Sequence, residues 1–578
     1  MYFRINGAIL AALFCALLNA APSLKLATWS ETRTRPGQPV RLEVSLNGTR
    51  EPVRYRFRVR GPGESRWRTV RDYAPQSDLR WTSMGKAGTY EIEVTAKALH
   101  SGLTTTTIHR QQIAPPDEPA IYHTDHPLVL VYSAPPCPAG SSIRVAFSDG
   151  QGSDQSTPAS ECNGIDAMNF YLAGLRSGTP YTAQHEIRSG TTVELGPQME
   201  FETTSIELSL APVTVLRPAP AGATGVLVMG TLFQVPTATD LQGNLVWFYP
   251  NDLQYLTRPA PGGHFLALLE KPLEGPDSQR FIKFDLAGYT VLETNAARIN
   301  EQLAALGRQP MTSFHHEAVE LPDGRYMLLA GTERLLTNVQ GHGEVDVLGD
   351  MILVLDANLQ LEWVWDAFDH LDTRRMALAD EKCVPGGGGC PAFYLAAQAN
   401  DWLHGNALHL TPDGNILYSA RHQDWLIKIR YDNGQGDGAV IWRLGKEGNF
   451  AMQSDTDWPW FSHQHDGSQL DARHILVFDN GNTRVEFEPG AHSRGQVFEI
   501  DETRRSAQLV LDADLGAYSL ALGSAQRLPN GNVHFNLGWM PNFSSQALEF
   551  TPGGELVYQI ETEIQQYRSF RMADLYTP

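Results

Sequence analysis

Leu321-Pro322-Asp323-Gly324-Arg325-Tyr326-Met327-Leu328-Leu329 is the stretch that decides the fold, because it joins a tight turn directly to an apolar strand. Pro followed by Asp-Gly is a strong turn signal. Nearly the same pattern returns in Thr411-Pro412-Asp413-Gly414-Asn415-Ile416-Leu417-Tyr418. Two such copies predict a repeated β-hairpin.

This hairpin belongs to a longer unit that recurs after residue 211, where two kinds of turn alternate. The first kind lies at residues 220–222, 261–263, 322–324, 412–414, 470–471 and 529–531, and the second begins at Asp240, Asp285, Asp356, Asp432, Asp501 and Thr551. Each pair of turns can serve four strands. Six such units predict a six-bladed β-propeller, since radial closure removes exposed sheet edges.

The chain before this repeat also has a β pattern. Residues 24–113 alternate apolar and polar side chains between Gly, Pro and Asn turns, and residues 117–204 have a similar texture with a fibronectin-like turn at 175–181. We therefore predict an all-β protein with a β-sandwich module at 22–116, a second, fibronectin-like module at 117–205 and a propeller at 211–578. One larger β domain in place of the two modules is the alternative.

Charge and the amino terminus limit the partners and the compartment. With 65 acidic and 45 basic residues and a net charge of -20, the chain is not expected to bind nucleic acid. Residues 1–21 resemble a secretory signal, against the alternative of a buried amino-terminal strand. No later segment has the roughly 20 apolar residues of a membrane span. We expect a periplasmic or secreted protein without stable membrane insertion.

Four cysteines remain if Cys15 is removed with the signal. Their spacing predicts disulfides between Cys137 and Cys162 and between Cys383 and Cys390, as an oxidising compartment allows. A zinc site is the alternative, although the paired CxxC spacing typical of such sites is missing.

Three segments that contain histidine each precede a hairpin of the repeat. They are Ser313-Phe314-His315-His316-Glu317, Asp401-Trp402-Leu403-His404-Gly405-Asn406 and Phe461-Ser462-His463-Gln464-His465-Asp466-Gly467. Equivalent loops of a propeller converge at one mouth of its central channel, so His316, His404 and His465 are predicted to meet. A single histidine is more often a core residue, but three at matched positions favour a site.

Further polar residues lie near these segments. Arg421 and His422 follow the strand of the unit that contains His404, and a guanidinium can bind two oxygens of a tetrahedral anion. Asn406 can add an amide donor. The set fits either a metal site with Glu317 or Asp466, or a group-transfer site with an imidazole nucleophile. A salt bridge for Arg421 and a turn role for Asn406 are the alternatives.

Four motifs in this order resemble a known family. Phe314-His315-His316, Asp401-Trp402-x-His404-x-Asn406, Ser419-x-Arg421-His422-Gln423, and Gln464-His465-Asp466 followed by Phe478-Asp479-Asn480-Gly481 are similar to the motifs of the bacterial arylsulfate sulfotransferases. These enzymes use no nucleotide sulfate donor. The resemblance covers the chain from about residue 211 onward and is densest at 311–484.

The resemblance implies transfer of a sulfuryl group from an aryl sulfate to a phenolic acceptor through a sulfohistidine. It implies His465 as the nucleophile and His316, His404, Asn406 and Arg421 as the groups that hold the sulfuryl oxygens. We also expect His422 and Ser524 to contact the substrate. We expect no cofactor and no bound metal. A homodimer is possible. A metal-dependent hydrolase of sulfate or phosphate esters and a non-catalytic secreted binding propeller are the alternatives.

Overall fold

The computed structural model describes residues 25–29, 33–151, 154–251, 253–269, 274–384, 389–454 and 456–578. These residues form many short strands, which confirms the prediction of an all-β chain. The helices among them are α1 (Ala296–Ala305), α2 (Ala367–His370), α3 (Asn482–Phe487) and the 3-10 turns Pro276–Ser278, Arg421–Gln423 and Asp432–Gly434. None of the described helices is long and apolar enough to cross a membrane. The predicted signal, residues 1–21, lies outside the described residues.

The first eight strands form two sheets around one core. They are β1 (Lys25–Trp29), β2 (Arg33–Thr34), β3 (Val40–Asn47), β4 (Val53–Arg60), β5 (Arg68–Ala74), β6 (Asp78–Trp81), β7 (Gly88–Ala98) and β8 (Thr104–Ile113). One sheet has the order β1-β3-β6 and the other β2-β8-β7-β4-β5. Burial alternates along β3, so Val40 and Leu42 pack against Phe57 and Ile92 of the facing sheet.

The next nine strands also form two sheets with a shared core. They are β9 (Ala120–His123), β10 (Leu130–Ala134), β11 (Ser142–Ser148), β12 (Gln155–Ser156), β13 (Ser160–Glu161), β14 (Met168–Leu172), β15 (Pro180–Ser189), β16 (Thr192–Leu195) and β17 (Met199–Glu202). The first sheet is β9-β10-β14, and the second is built on β11 and β15. The predicted Cys137–Cys162 disulfide lies in this core.

Six four-stranded antiparallel sheets follow. Sheet 1 consists of β45 (Gln566–Met572), β19 (Val226–Thr231), β20 (Thr237–Asp240) and β21 (Leu245–Phe248). Sheet 2 consists of β22 (Tyr255–Ala260), β23 (His264–Leu269), β24 (Arg280–Asp285) and β25 (Thr290–Asn295). Sheet 3 consists of β26 (Phe314–Glu320), β27 (Tyr326–Thr337), β28 (Glu344–Leu355) and β29 (Leu361–Asp366). Sheet 4 consists of β32 (Gly405–Leu410), β33 (Ile416–Ala420), β34 (Trp425–Ile429) and β35 (Val440–Leu444). Sheet 5 consists of β37 (His465–Gln469), β38 (His474–Asp479), β39 (Arg494–Asp501) and β40 (Ser506–Asp514). Sheet 6 consists of β41 (Ser524–Arg527), β42 (Val533–Leu537), β43 (Ser545–Phe550) and β44 (Leu556–Thr562). Four short strands extend the edges of these sheets: β18 (Val213–Arg217) on β44, β30 (Lys382–Cys383) and β31 (Ala399–Asp401) beside β28, and β36 (Ala451–Met452) on β40.

The first-named strands of the six sheets pack side by side. In order, β22, β26, β32, β37, β41 and β45 each contact the next, and β45 contacts β22. Sheet 1 takes β45 from the other end of the chain, with Val226 opposite Met572. The first strands of the six sheets therefore form one continuous series of contacts.

All but one of the predicted turns lie where the repeat requires them. The first kind joins the first two strands of sheets 2 to 6, and the second kind joins the last two strands of all six sheets. The turn at 220–222 differs, because it precedes β19 and the first strand of sheet 1 is β45. The local turn pattern therefore identified real hairpins.

The first module continues into sheet 2. Arg71 of β5 pairs with Glu293 of β25, which makes one nine-stranded sheet of both. The Arg71 side chain also forms an ion pair with Glu293 at 2.5 Å, and Arg298 of α1 reaches Asp72 at 3.1 Å. Buried charges are thus paired across this contact.

Candidate active site

The three predicted histidine segments enter sheets 3, 4 and 5 at the same end of their first strands. His316 and His404 have left-handed backbone, with φ of 58° and 49°, as has Asp466 beside His465. The strand register shifts between Phe314 and Ala318, between Gly405 and Ala407, and between His465 and Ser468. Each segment thus has a β-bulge or a similar irregularity, a feature that re-aims side chains next to active sites.

The imidazoles form a connected group. The ring centroids of His316 and His404 lie 4.8 Å apart, those of His404 and His422 4.5 Å, and those of His422 and His463 5.8 Å. His316, His422, His463 and His465 are each at most 3% exposed. Histidines from three sheets therefore share one buried centre.

His465 is held in a defined tautomer. The amide nitrogen of Asn480 donates to the carbonyls of Ser519 and Leu522, so its oxygen accepts the Nδ1 hydrogen of His465 at 2.7 Å. The Nε2 lone pair remains for reaction. Burial, followed by the charge of Arg421, lowers the pKa of His465 well below its usual value. A neutral imidazole with a defined lone pair is the form that a nucleophile requires.

His404 and His422 are oriented by the same residue. His404 Nδ1 lies 2.6 Å from the Asp401 carboxylate, and His422 Nδ1 donates to the Asp401 backbone carbonyl at 2.7 Å. Arg421 then donates to His422 Nε2 at 2.7 Å. His422 therefore uses both ring nitrogens within the protein, and Arg421 is fixed beside the centre.

His316 lies between charged and aromatic groups. Its Nδ1 is 3.0 Å from His315 Nδ1, and His315 Nε2 lies 3.2 Å from Asp350. Tyr567 donates to the His316 carbonyl, and Tyr255 stacks on the ring at 5.5 Å. Burial, with the nearby His404, lowers the pKa of His316 well below its usual value.

Asn406 and Ser524 have partners within the protein. The amide nitrogen of Asn406 donates to the Gln464 carbonyl at 2.7 Å, while its oxygen is buried without a partner among the described residues. The Ser524 hydroxyl donates to the Ser569 carbonyl and accepts from the Ser569 amide. Substrate contact by either residue remains a prediction.

A network of buried charges, which the sequence did not reveal, lies among the first strands. Arg568 of β45 donates to Glu317, to the Thr257 carbonyl and to the Asn406 carbonyl. Arg258 reaches Glu317 at 2.8 Å and Asp466 at 2.7 Å. Neither arginine lies in a histidine motif, so no local pattern could have identified them. Together they fix the strands that begin with the site residues.

An open cavity of about 540 Å³ borders the histidine group. Its walls include Arg421, His463, Glu381, Leu378 and Phe487. Arg421 Nε is buried without a partner among the described residues. The guanidinium can therefore offer a further donor to a bound anion.

Three groups near this cavity could also hold a metal ion. Ligand atoms of Asp401, His404 and His422 lie within 4.8 Å of one another. However, His422 Nδ1 faces the Asp401 carbonyl, and its Nε2 accepts from the Arg421 cation. A second cation at that nitrogen would face the arginine charge, so these residues fit a metal poorly. Cys383, Cys390 and Asp401 are a second group with ligand atoms close together, but the two cysteines form the predicted disulfide.

A comparison with protein-family models decides to which family the chain belongs. The family model described as Arylsulfotransferase (ASST) matches residues 217–571. The chain belongs to the arylsulfotransferase family. It is an enzyme, an arylsulfate sulfotransferase, and its matched region contains all six sheets apart from the last residue of β45.

The comparisons with curated proteins and with solved structures give little further information. No curated protein matches the chain. Among solved structures, the chicken interferon gamma receptor alpha chain is 11% identical over 32% of this chain and 100% of that one, with a TM-score of 0.14. The FN1–FN3 domains of chicken CNTN1 are 12% identical over 31% of this chain and 67% of that one, with a TM-score of 0.13. These likenesses carry no further argument.

Proposed function

We propose that this sulfotransferase moves a sulfuryl group from an aryl sulfate to a phenolic acceptor through a covalent sulfohistidine at His465. The observation that carries the proposal is the Asn480 contact, which leaves a neutral His465 with its Nε2 lone pair. The transfer follows a ping-pong sequence, because donor and acceptor use the same nucleophile in turn. The six sheets are the blades of a six-bladed β-propeller, a reading supported by the contacts between their first strands.

In the first step, His465 Nε2 attacks sulfur and the bond from sulfur to the aryl oxygen breaks. The phenolate leaves with the bonding electrons and takes a proton from His404, whose Nδ1 is held by Asp401. Arg421 and Asn406 stabilise the charge on the sulfuryl oxygens. Positioning matters more than base strength, as in related phosphoryl transfers with loose transition states.

In the second step, the acceptor phenol gives its proton to an imidazole and its oxygen attacks the sulfur of sulfohistidine. The bond from Nε2 to sulfur breaks, and His465 returns to its neutral form. His404, which gave up its proton in the first step, is the base that takes this proton, so the enzyme returns to its starting state. His316, whose ring lies 4.8 Å from that of His404 and whose lowered pKa keeps it neutral, helps to hold the sulfuryl oxygens. His422 supports Arg421 through its Nε2 contact rather than by contacting the sulfuryl group.

The partners are therefore a small aryl sulfate donor and a phenolic acceptor, and no cofactor enters the reaction. Two disulfides are consistent with an oxidising compartment, so we place the enzyme in the periplasm or outside the cell.

Trapping of the intermediate tests the mechanism. Protein mixed with p-nitrophenyl sulfate alone and quenched in alkali should yield a His465 peptide heavier by about 80 Da, the mass of one SO₃ group. His465→Ala should lose both the adduct and transfer to phenol. The control is His474→Ala, since His474 lies in the same sheet but pairs with Asp471 at the surface. An unmodified peptide under single-turnover conditions would contradict the covalent route.

A metal-dependent hydrolase is the second candidate, favoured only by the closeness of Asp401, His404 and His422. Prolonged EDTA treatment should leave transfer unchanged if our proposal holds. Loss of activity that zinc alone restores, with free sulfate as the product, would favour the hydrolase.

A further inference from the structure

The insertion between β29 and β32 reaches into the site. Its middle is closed by the Cys383–Cys390 disulfide, and β30 pairs with β31, which lies parallel to β28. The amide of Leu378 donates to the His422 carbonyl, and the amide of Asp401 donates to the Glu381 carbonyl. The insertion is thus attached to the segments that hold His404 and His422.

Glu381 is the acidic residue that the insertion directs at the histidine group. Its Oε1 lies 2.5 Å from His463 Nε2 and 3.7 Å from His422 Nε2. Its Oε2 accepts from the Ala379 amide at 3.0 Å. Glu381 and His463 also border the cavity beside Arg421. The carboxylate is therefore fixed at the edge of the cavity that Arg421 borders.

His463 is held between two carboxylates. Its Nδ1 lies 3.1 Å from Asp424 Oδ1, which also accepts the His463 backbone amide at 2.7 Å. Four charged or titratable groups face the ring: Glu381, Asp424, Arg421 and His422. Burial lowers the pKa of His463, but Asp424 and Glu381 outweigh it, so the pKa is raised. With a carboxylate oxygen within 3.1 Å of each nitrogen, the ring is favoured in its doubly protonated, positively charged form.

His463, held between Glu381 and Asp424, lies two residues before the proposed nucleophile, His465. His463 has left-handed backbone, with φ of 51°, and precedes Gln464 and His465. The Gln464 carbonyl accepts from Asn406, and its side-chain amide donates to the Ser419 hydroxyl and the Ala420 carbonyl. A shift of His463 would therefore move the backbone on which His465 is placed.

We propose that Glu381 is a positioning residue for sulfuryl transfer, acting through the His463 imidazolium on the backbone that places His465. The inference rests on the proposed function, because it assumes His465 as the nucleophile. It also gives the insertion a role in the reaction, since the disulfide loop adjoins the residue that reaches the site.

Glu381→Gln tests the inference through its pH profile. We expect kcat/KM for p-nitrophenyl sulfate to fall by about 10-fold, since small misplacements of reacting groups have costs of this order. In the wild type, activity should fall on the alkaline side as His463 loses its proton. The variant lacks one charge that raises the pKa of His463, so this alkaline limb should move to lower pH.

Asp380→Asn is the matched control, because Asp380 is the neighbouring acid and its side chain pairs only with Lys382 among the described residues. It should leave rate and profile unchanged. A Glu381→Gln enzyme with the kcat/KM and the alkaline limb of the wild type would overturn the inference. A slower enzyme whose alkaline limb stays at the same pH would also overturn it, because that result indicates a purely structural role.

A second variant covers failure of the first to fold. His463→Gln should remove the alkaline limb, and a limb that persists in it would overturn the inference. A wild type that transfers no sulfuryl group would instead overturn the proposed function. The two failures are therefore distinguishable.

Discussion

Asn480 and Asp401 each take one ring nitrogen of a site histidine and so decide which nitrogen faces the reactants. Asn480 accepts from His465 Nδ1, and Asp401 lies against His404 Nδ1. Because imidazole has two unlike nitrogens when neutral, the partner of one fixes the chemistry of the other. The site therefore depends on residues that do not touch the sulfuryl group.

Replacement of Asn480 should impair the nucleophile without removing it. In Asn480→Ala, His465 Nδ1 loses its acceptor, and the ring can adopt the other tautomer. We expect kcat to fall by about 10- to 100-fold, as for other residues that orient a reacting group. Steady-state kinetics with p-nitrophenyl sulfate measure this. An unchanged kcat would show that the tautomer is fixed in another way.

The pH dependence of the first step should follow His465. Its pKa lies well below the usual value because burial and Arg421 disfavour its charged form, so the ring stays neutral on mild acidification. Burst kinetics of p-nitrophenol release should therefore show no loss from this group between about pH 7 and pH 6, where an ordinary histidine titrates. A burst rate that halves near pH 6.5 would contradict the burial effect.

The histidines could be predicted from sequence, but most of their partners could not. His316, His404 and His465 recur before similar turns, so the repeat itself places them at equivalent positions. Asn480 was visible only as part of a motif, with no indication of its contact. Glu381 comes from an irregular insertion, and no periodicity connects it with His463. Contacts made by loops depend on tertiary packing, which local patterns do not encode.

At the level of elements, β45 holds the site together. Its Arg568 contacts residues of β22, β26 and β32, and its Tyr567 contacts His316. Arg568 is only 1% exposed, so its charge depends on these partners. One strand thus fixes the relative positions of sheets 2, 3 and 4 at the site.

Arg568→Met should therefore destabilise the enzyme and slow it. Removal of one partner of a buried ion pair costs about 3 kcal/mol, and we expect that loss in the free energy of unfolding. Activity should also fall, because the Asn406 backbone loses its contact. Denaturant unfolding and kinetics measure both. The control is Arg504→Met, since the Arg504 side chain is 84% exposed.

Hairpins were more predictable than sheets. Turns such as residues 322–324 and 412–414 join strands that are adjacent in sequence, so their residues alone predict the pairing. Sheet 1 is different, because Val226 pairs with Met572. Such a pairing depends on the whole fold, and the turn at residues 220–222 therefore suggested a hairpin that does not exist.

At the scale of the whole molecule, both amino-terminal modules are fixed to sheet 2. The first is joined by the Arg71 and Glu293 pair. The second is joined by Tyr171, whose hydroxyl donates to Asp285 at 2.7 Å. Alternation of apolar residues predicted these β modules, but not the surfaces by which they attach, because contact residues follow no period.

Tyr171→Phe tests the second contact through its pH dependence. Burial raises the pKa of Asp285 to about 6, and the Tyr171 hydroxyl stabilises its ionised form. The folded-state pKa is raised, so this group stabilises the fold at low pH and that contribution is lost as pH rises through about 6. The variant should lose about 2 kcal/mol of unfolding free energy at pH 8. Thermal unfolding at pH 5 should show a smaller loss, and an equal loss at both would contradict the assignment.

The completion of sheet 1 by β45 has a consequence for biosynthesis. A ribosome makes β19, β20 and β21 long before it makes the strand that pairs with β19, and Tyr567 and Arg568 arrive only with that strand. A nascent chain therefore contains every histidine of the site while it still lacks Tyr567, which holds the His316 backbone, and Arg568, which holds the Asn406 backbone. Sulfuryl transfer must await the end of translation, so a prematurely terminated polypeptide would be inert rather than partly active.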